Sequence, residues 1–204
     1  MKTDLPNLKR RGFVVNASKT IVGISILPTI SMANIPHKSK KLKTVLVGTG
    51  SRGINSWGKE LVGPYADFVE MVGLCDINEK RIKVAQKMID IKAATYHSND
   101  FAKMIRDQKP DVVIVTTTDS YHVEYICRAM ELGCDVVSEK PIATEAVHCQ
   151  RIIDTEKKTG KKVYVGFNVR YMNESMEMKR IISSGELGKI IAIEYHEYLD
   201  TQHG

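Results

Sequence analysis

At 204 residues and 22.9 kDa, the chain is long enough for one or two domains. Its hydrophobic fraction of 43% supplies a core and excludes wholesale disorder. No apolar run reaches the ~18 residues of a spanning helix, and neither a collagen-like glycine period nor a disulfide framework is present. The formal charge of +6 is unevenly placed: residues 1–33 carry +4, residues 34–43 another +4, and residues 44–204 hold −2. A nucleic-acid binder carries its basic stripe on the folded body, so this distribution argues against a nucleic-acid partner.

The first 33 residues have the layout of an address. Lys9-Arg10-Arg11-Gly12-Phe13-Val14 places twin arginines before an apolar segment, Val14 to Ile30, interrupted by Asn16 and Lys19. Ser31-Met32-Ala33 then offers small residues at the positions a signal peptidase requires. The segment resembles a twin-arginine export signal, which implies a periplasmic protein that crosses the membrane folded. Lys19 and Pro28 disfavour a stable membrane span. The plain alternative is a solvated basic N-terminus ahead of a cytoplasmic domain. Residues 34–43, with Pro36 and four lysines, are expected to be a linker.

From residue 44 the pattern alternates between strand and helix. Thr44–Val47 is a short β-rich run, followed by a glycine turn and a helix to about Val62. Phe68–Cys75 is a second strand, closed by Asp76. Asn78 can cap a helix with Ile82, Val84, Ala85, Met88 and Ile89 on its apolar face. A weak strand at Ala93–Tyr96 and a helix at Asp100–Gln108 follow. Asp111–Thr116, nearly all β-branched, suits a strand covered on both faces of a parallel sheet. Ser120–Leu132 is helical up to Gly133, Asp135–Ser138 is a strand, Thr144–Thr159 is helical up to Gly160, and Val163–Phe167 is a sixth strand. Repeated β-α-β units predict an α/β fold with a doubly wound parallel sheet over residues 44–167. Beyond it, a helix at Tyr171–Ser184 and a long β-rich run at Lys189–Leu199 are expected to open a second, truncated α+β domain over residues 168–204.

Gly48-Thr49-Gly50-Ser51-Arg52-Gly53 fits G-x-G-x-x-G between a strand and a helix, the context that a dinucleotide fingerprint requires. The first glycine permits the tight turn, the second admits a pyrophosphate, and the third packs helix on strand. Ser51 and Arg52 sit where the helix N-terminus offers free N–H groups to phosphates. Asp76 stands 23 residues past Gly53, matching the ribose-binding acid of a Rossmann domain. A carboxylate there favours NAD; Arg52 and Arg81 leave NADP open.

Thr116-Thr117-Thr118-Asp119-Ser120-Tyr121-His122 follows the fourth strand, and Glu139-Lys140-Pro141 the fifth. Gly166-Phe167-Asn168-Val169-Arg170-Tyr171 follows the sixth, and Ser184-Gly185-Glu186-Leu187-Gly188-Lys189-Ile190 comes next. Together with the glycine turn, residues 42–204 resemble the Gfo/Idh/MocA oxidoreductases. The resemblance implies hydride transfer between NAD(P) and a hydroxyl-bearing carbon of a sugar, cyclitol or related polyol. It makes Lys140 the catalytic lysine beside nicotinamide and substrate, and Glu139 a contact of the nicotinamide-side ribose. Thr116, Thr117, Thr118 and His122 would line the coenzyme, with Asn168 and Arg170 bordering nicotinamide and substrate. It also implies a homo-oligomer built through the second domain, and a family histidine lying beyond Gly204. Thr117-Thr118-Asp119 departs from the family's Thr-Pro-Asn, although the spacing to His122 is kept.

Plainer roles stand beside these. Lys140 could be a surface lysine at a strand end, His122 a helix cap, and Arg170 a salt-bridge partner. Cys75, Cys127, Cys134 and Cys149 lack metal-ligand spacing and are expected to be buried thiols, so no metal is predicted. Two rival functions remain. One is an NAD-dependent glycosidase working by transient oxidation, elimination and addition; the other is a non-catalytic cofactor-binding module.

Overall fold

The computed structural model describes residues 40–198. The expected twin-arginine signal and most of the expected linker lie outside the described residues, as does the chain's end from Leu199. Six strands form one sheet: β1 (Leu42–Val47), β2 (Val69–Asp76), β3 (Ala94–His97), β4 (Val112–Val115), β5 (Asp135–Ser138) and β6 (Val163–Val165). All neighbours pair parallel, in the order β3-β2-β1-β4-β5-β6. This is the doubly wound Rossmann order, with its topological switch between β1 and β4. Ligands gather outside the strand C-termini at such a switch. The expected linker ends early, because Leu42 and Lys43 already pair with β2.

Side chains alternate across the sheet because a strand has a period of two. Val45, Val47, Val113, Val115 and Val136 face a core with Phe101, Ile126, Met130 and Ile152. Leu46, Leu74 and Ile114 face the other way, against Ile54, Ile82, Ala85 and Ile89. Ile54 comes from a segment at Gly53–Gly58 that leads into α1 (Lys59–Val62), and the other partners come from α2 (Glu79–Ile89), α3 (Phe101–Gln108), α4 (His122–Glu131) and α5 (Ala146–Thr159). Phe101, fully buried, meets Tyr125 edge-on with ring centroids 5.2 Å apart. Truncating such a ring costs about 3–5 kcal/mol.

Several elements differ from expectation. The helix after β1 is not regular: Gly53–Gly58 is a π-type segment that leads into α1. Asn78 does cap α2, its side chain accepting from the N–H groups of Lys80 and Arg81. Val84 and Met88, however, are 52% and 46% exposed. At 100° per residue they point away from the buried stripe of Ile82, Ala85 and Ile89. A last helix, α6 (Asn173–Ser184), buries none of its residues. The β-rich run after it forms no strand over 189–198, and Ile191 is 95% exposed. β-branched residues make a strand only beside a ladder partner, and the six strands of the sheet do not extend to this segment. Among the described residues, no helix is long and apolar enough to cross a membrane.

Candidate functional site

The turn that follows β1 is shaped by close backbone approach. Gly48 has φ +93°, and a Cβ there would lie 2.5 Å from the Thr116 carbonyl oxygen. A Cβ on Gly53 would collide with the Gly48 carbonyl. Thr116, ending β4, ties the same turn down: its N–H donates to Val47 O at 2.8 Å and its hydroxyl to Gly48 O at 2.6 Å. Gly50 is different, since a Cβ there would meet nothing within 4 Å. The turn therefore keeps an open face, and the N–H groups of the first helical turn have no intrahelical acceptors.

Asp76, at the end of β2, is 6% exposed and fastened to this turn. Its Oδ2 accepts from the Thr49 N–H at 2.6 Å and the Thr49 hydroxyl at 2.9 Å, and its Oδ1 accepts from the Asn78 N–H at 2.8 Å. A carboxylate has about four acceptor sites, so one remains open to a further donor.

A cleft of about 850 Å³ opens over these groups. Its walls bring together Gly48, Gly50, Ser51, Arg52, Asp76 and the three threonines Thr116 to Thr118. Ile77 and Arg81 also line it, with Tyr121, Tyr125 and Arg128 from the fourth βα connection and α4. Tyr121, Tyr125 and Arg128 went unnoticed in the sequence, although their i, i+4, i+7 spacing was the available signal.

Beyond the cleft, the β5 end carries Glu139 and Lys140. Lys140 is exposed, and its peptide bond to Pro141 is cis. Glu139 is 5% exposed, and its Oε1 accepts from Arg52 Nε and from Trp57 Nε1, both at 2.7 Å. Arg52 thus points to Glu139 and not only to the phosphate side, and Trp57 is a site residue that sequence reasoning missed.

His122 takes neither role foreseen for it. It is fully buried and does not line the cleft. Its Nδ1 lies 2.7 Å from Pro141 O and its Nε2 3.0 Å from Thr117 O. Carbonyls only accept and a neutral imidazole carries one N–H, so the ring donates to one of the two oxygens and packs against the other, between the threonine loop and the Lys140 loop. Asn168 and Arg170 lie in an exposed turn, Asn168–Tyr171, outside the cleft wall. In place of the ion pair foreseen for it, Arg170 covers the Phe167 ring at 5.0 Å.

Three of the cysteines are buried, and Cys149 is half-buried. Burial, helped by the charge of Asp76, pushes the Cys75 thiol up to about 12. Burial likewise raises Cys134 to about 11 and moves Cys127 upward. Thiols held protonated in this way are poor nucleophiles.

Comparison with known proteins agrees with this geometry. The Gfo/Idh/MocA family model, described as an oxidoreductase family with an NAD-binding Rossmann fold, matches residues 42–167. Over 158 residues the chain is 34% identical to inositol 2-dehydrogenase of Salmonella typhimurium, covering 77% of this chain and 46% of that protein. Over 160 residues it is 28% identical to glycosyl hydrolase family 109 protein 1 of Akkermansia muciniphila, covering 76% of this chain and 33% of that protein. Among solved structures, the WlbA dehydrogenase of Chromobacterium violaceum, in complex with NADH and UDP-GlcNAcA, matches with a TM-score of 0.67. That match is 25% identical and covers 81% of this chain and 44% of that one. The chain spans less than half the length of these relatives. Its glycine turn, switch-point cleft and strand order all fall in or beside the matched segment, and the chain belongs to the Gfo/Idh/MocA oxidoreductase family, with an NAD-binding Rossmann fold.

Proposed function

We propose that this chain carries the coenzyme half of an NAD-dependent oxidoreductase that oxidises or reduces a hydroxyl-bearing carbon of a sugar, cyclitol or related polyol. The observation that carries the reading is the open face at Gly50 beside the spare acceptor site of Asp76, in a cleft at the switch point. Pyrophosphate would rest on the turn, and Asp76 would accept from an adenosine ribose hydroxyl. The Asp76 carboxylate, fastened at the end of β2, would repel a 2′-phosphate and so favours NAD over NADP. When bound, the nicotinamide supplies the hydride acceptor or donor. Lys140 would hold the substrate oxygen and take its proton as hydride leaves the carbon. Asn168 and Arg170 would reach the substrate only from outside the cleft described above.

Calorimetric titration with NAD and NADH, then turnover assays over a polyol panel, test the reading. Saturable binding with reduction of NAD by at least one polyol is expected, and absence of any coenzyme binding overturns it. Similarity to a glycosyl hydrolase family 109 protein favours a second reading, hydrolysis through transient oxidation. Release of aglycone from aryl glycosides without added coenzyme would select it.

The twin arginines at Arg10 and Arg11 support export to the periplasm. A fusion of residues 1–39 to a reporter that is active only after twin-arginine transport checks this. Replacing both arginines by lysine is expected to retain the reporter in the cytoplasm. Assembly into a homo-oligomer is part of the same proposal, checked by light scattering of the purified protein.

A further inference from the structure

Glu139 is held in a way that neither the glycine fingerprint nor the Glu-Lys-Pro motif announces. Both of its side-chain donors, Arg52 and Trp57, come from the helical segment that starts in the glycine turn. They share Oε1, while among the described residues Oε2 accepts from the Lys140 N–H alone, at 3.3 Å. The carboxylate at the end of β5 is therefore positioned by the turn at the end of β1. Oε2 keeps a lone pair for a ligand.

The two donors are not equivalent. Arg52 has a side chain 43% exposed and lines the cleft at the turn where phosphate would sit. Its long side chain can exchange a carboxylate for a phosphate at little cost, since both suit its fork of donors. Trp57 cannot move so freely. Its ring lies against Gly166, where an added Cβ would come within 3.0 Å of Cζ2. Its single N–H has one acceptor in reach, Glu139. A nearly buried carboxylate left with no side-chain donor would be costly, so something must hold it when Arg52 turns away.

We propose that Trp57 is a positioning residue for coenzyme binding. Its indole N–H holds the Glu139 carboxylate in one orientation while Arg52 exchanges to the coenzyme phosphates, leaving Oε2 to accept from a coenzyme hydroxyl. This rests on the coenzyme reading above. Trp57→Phe in the full chain keeps an aromatic ring against Gly166 and removes the donor.

NADH titration followed by coenzyme fluorescence is expected to show affinity about tenfold weaker, the size of one hydrogen bond to a charged group. In a Glu139→Ala background the same change is expected to add less than about twofold, because the acceptor of the indole N–H is already removed. A Trp57 that merely fills space would cost the same in both backgrounds. A second readout leaves Trp57 in place. It is the chain's single tryptophan, so its emission should shift in Glu139→Gln and change saturably as NADH is added to the wild type. Equal NADH affinity in wild type and Trp57→Phe, additive losses, or emission indifferent to both treatments overturns the proposal and leaves the coenzyme reading standing. Failure of the wild type to bind NADH overturns both.

Discussion

Two nearly buried carboxylates, Asp76 and Glu139, sit at the C-terminal ends of parallel strands β2 and β5, 6% and 5% exposed. Each accepts three hydrogen bonds, yet the donors differ in kind. Asp76 is held by two backbone N–H groups and a short threonine hydroxyl, all in the adjoining turns. Glu139 is held mainly by the side chains of Arg52 and Trp57, 87 and 82 residues away. Backbone donors cannot swing aside, so Asp76 is a fixture of the fold. Of the side-chain donors of Glu139, Arg52 can be exchanged while Trp57 stays, so Glu139 is suited to a site where one partner changes.

The largest effect should come from breaking the rigid member of the pair. Asp76→Ala strips the Thr49 and Asn78 N–H groups of their acceptor. It is expected to cost about 3 kcal/mol of stability, read by urea denaturation, and to abolish NADH binding. Next is His122→Phe, which keeps a ring but removes the N–H held between the Thr117 and Pro141 carbonyls. A loss of about 2 kcal/mol is expected in the same measurement. Glu139→Ala should cost only about 1 kcal/mol of stability, because Arg52 can return to water. Its NADH affinity, by contrast, should fall more than about tenfold. Equal stability losses at Asp76 and Glu139 would erase the distinction drawn above.

A pH experiment sharpens the Asp76 side further. The native Cys75 thiol is raised from 9.0 to about 12, first by burial and then by Asp76. Between those values the native state holds a proton that the unfolded chain has released. Stability from this group is therefore full below pH 9.0 and falls as pH rises toward 12. Urea denaturation across that window should show a shallower decline in Cys75→Val than in wild type. An unchanged decline would remove Cys75 as its source. The smallest effect is expected at the exposed pair Arg180–Glu177 on α6, 2.9 Å apart. Glu177→Ala should leave the melting curve unchanged, as solvent-exposed pairs contribute little.

What could be read from residue order alone was whatever depends on near neighbours. Strand and helix alternation, the cap at Asn78, the glycine turn and the acid at Asp76 all follow from periodicity and turn chemistry over a few residues. Their partners are close in sequence or supplied by the strand order that the pattern already implied. The run at 189–198 shows the limit of such reasoning, since β-branched residues there lack a neighbouring strand. His122 was singled out for its place in a motif, yet its partners, Thr117 and Pro141, belong to two loops that meet only once β4 and β5 pair. Trp57 gave no signal at all. Its meeting with Glu139 requires the helical segment after β1 to pack over the β5 end, and no local pattern encodes a contact across 82 residues. The coenzyme fingerprint thus belongs to the sequence by itself. Which donors hold the acid beside Lys140 was decided only by the folded sheet, because the sheet sets the distances between remote side chains.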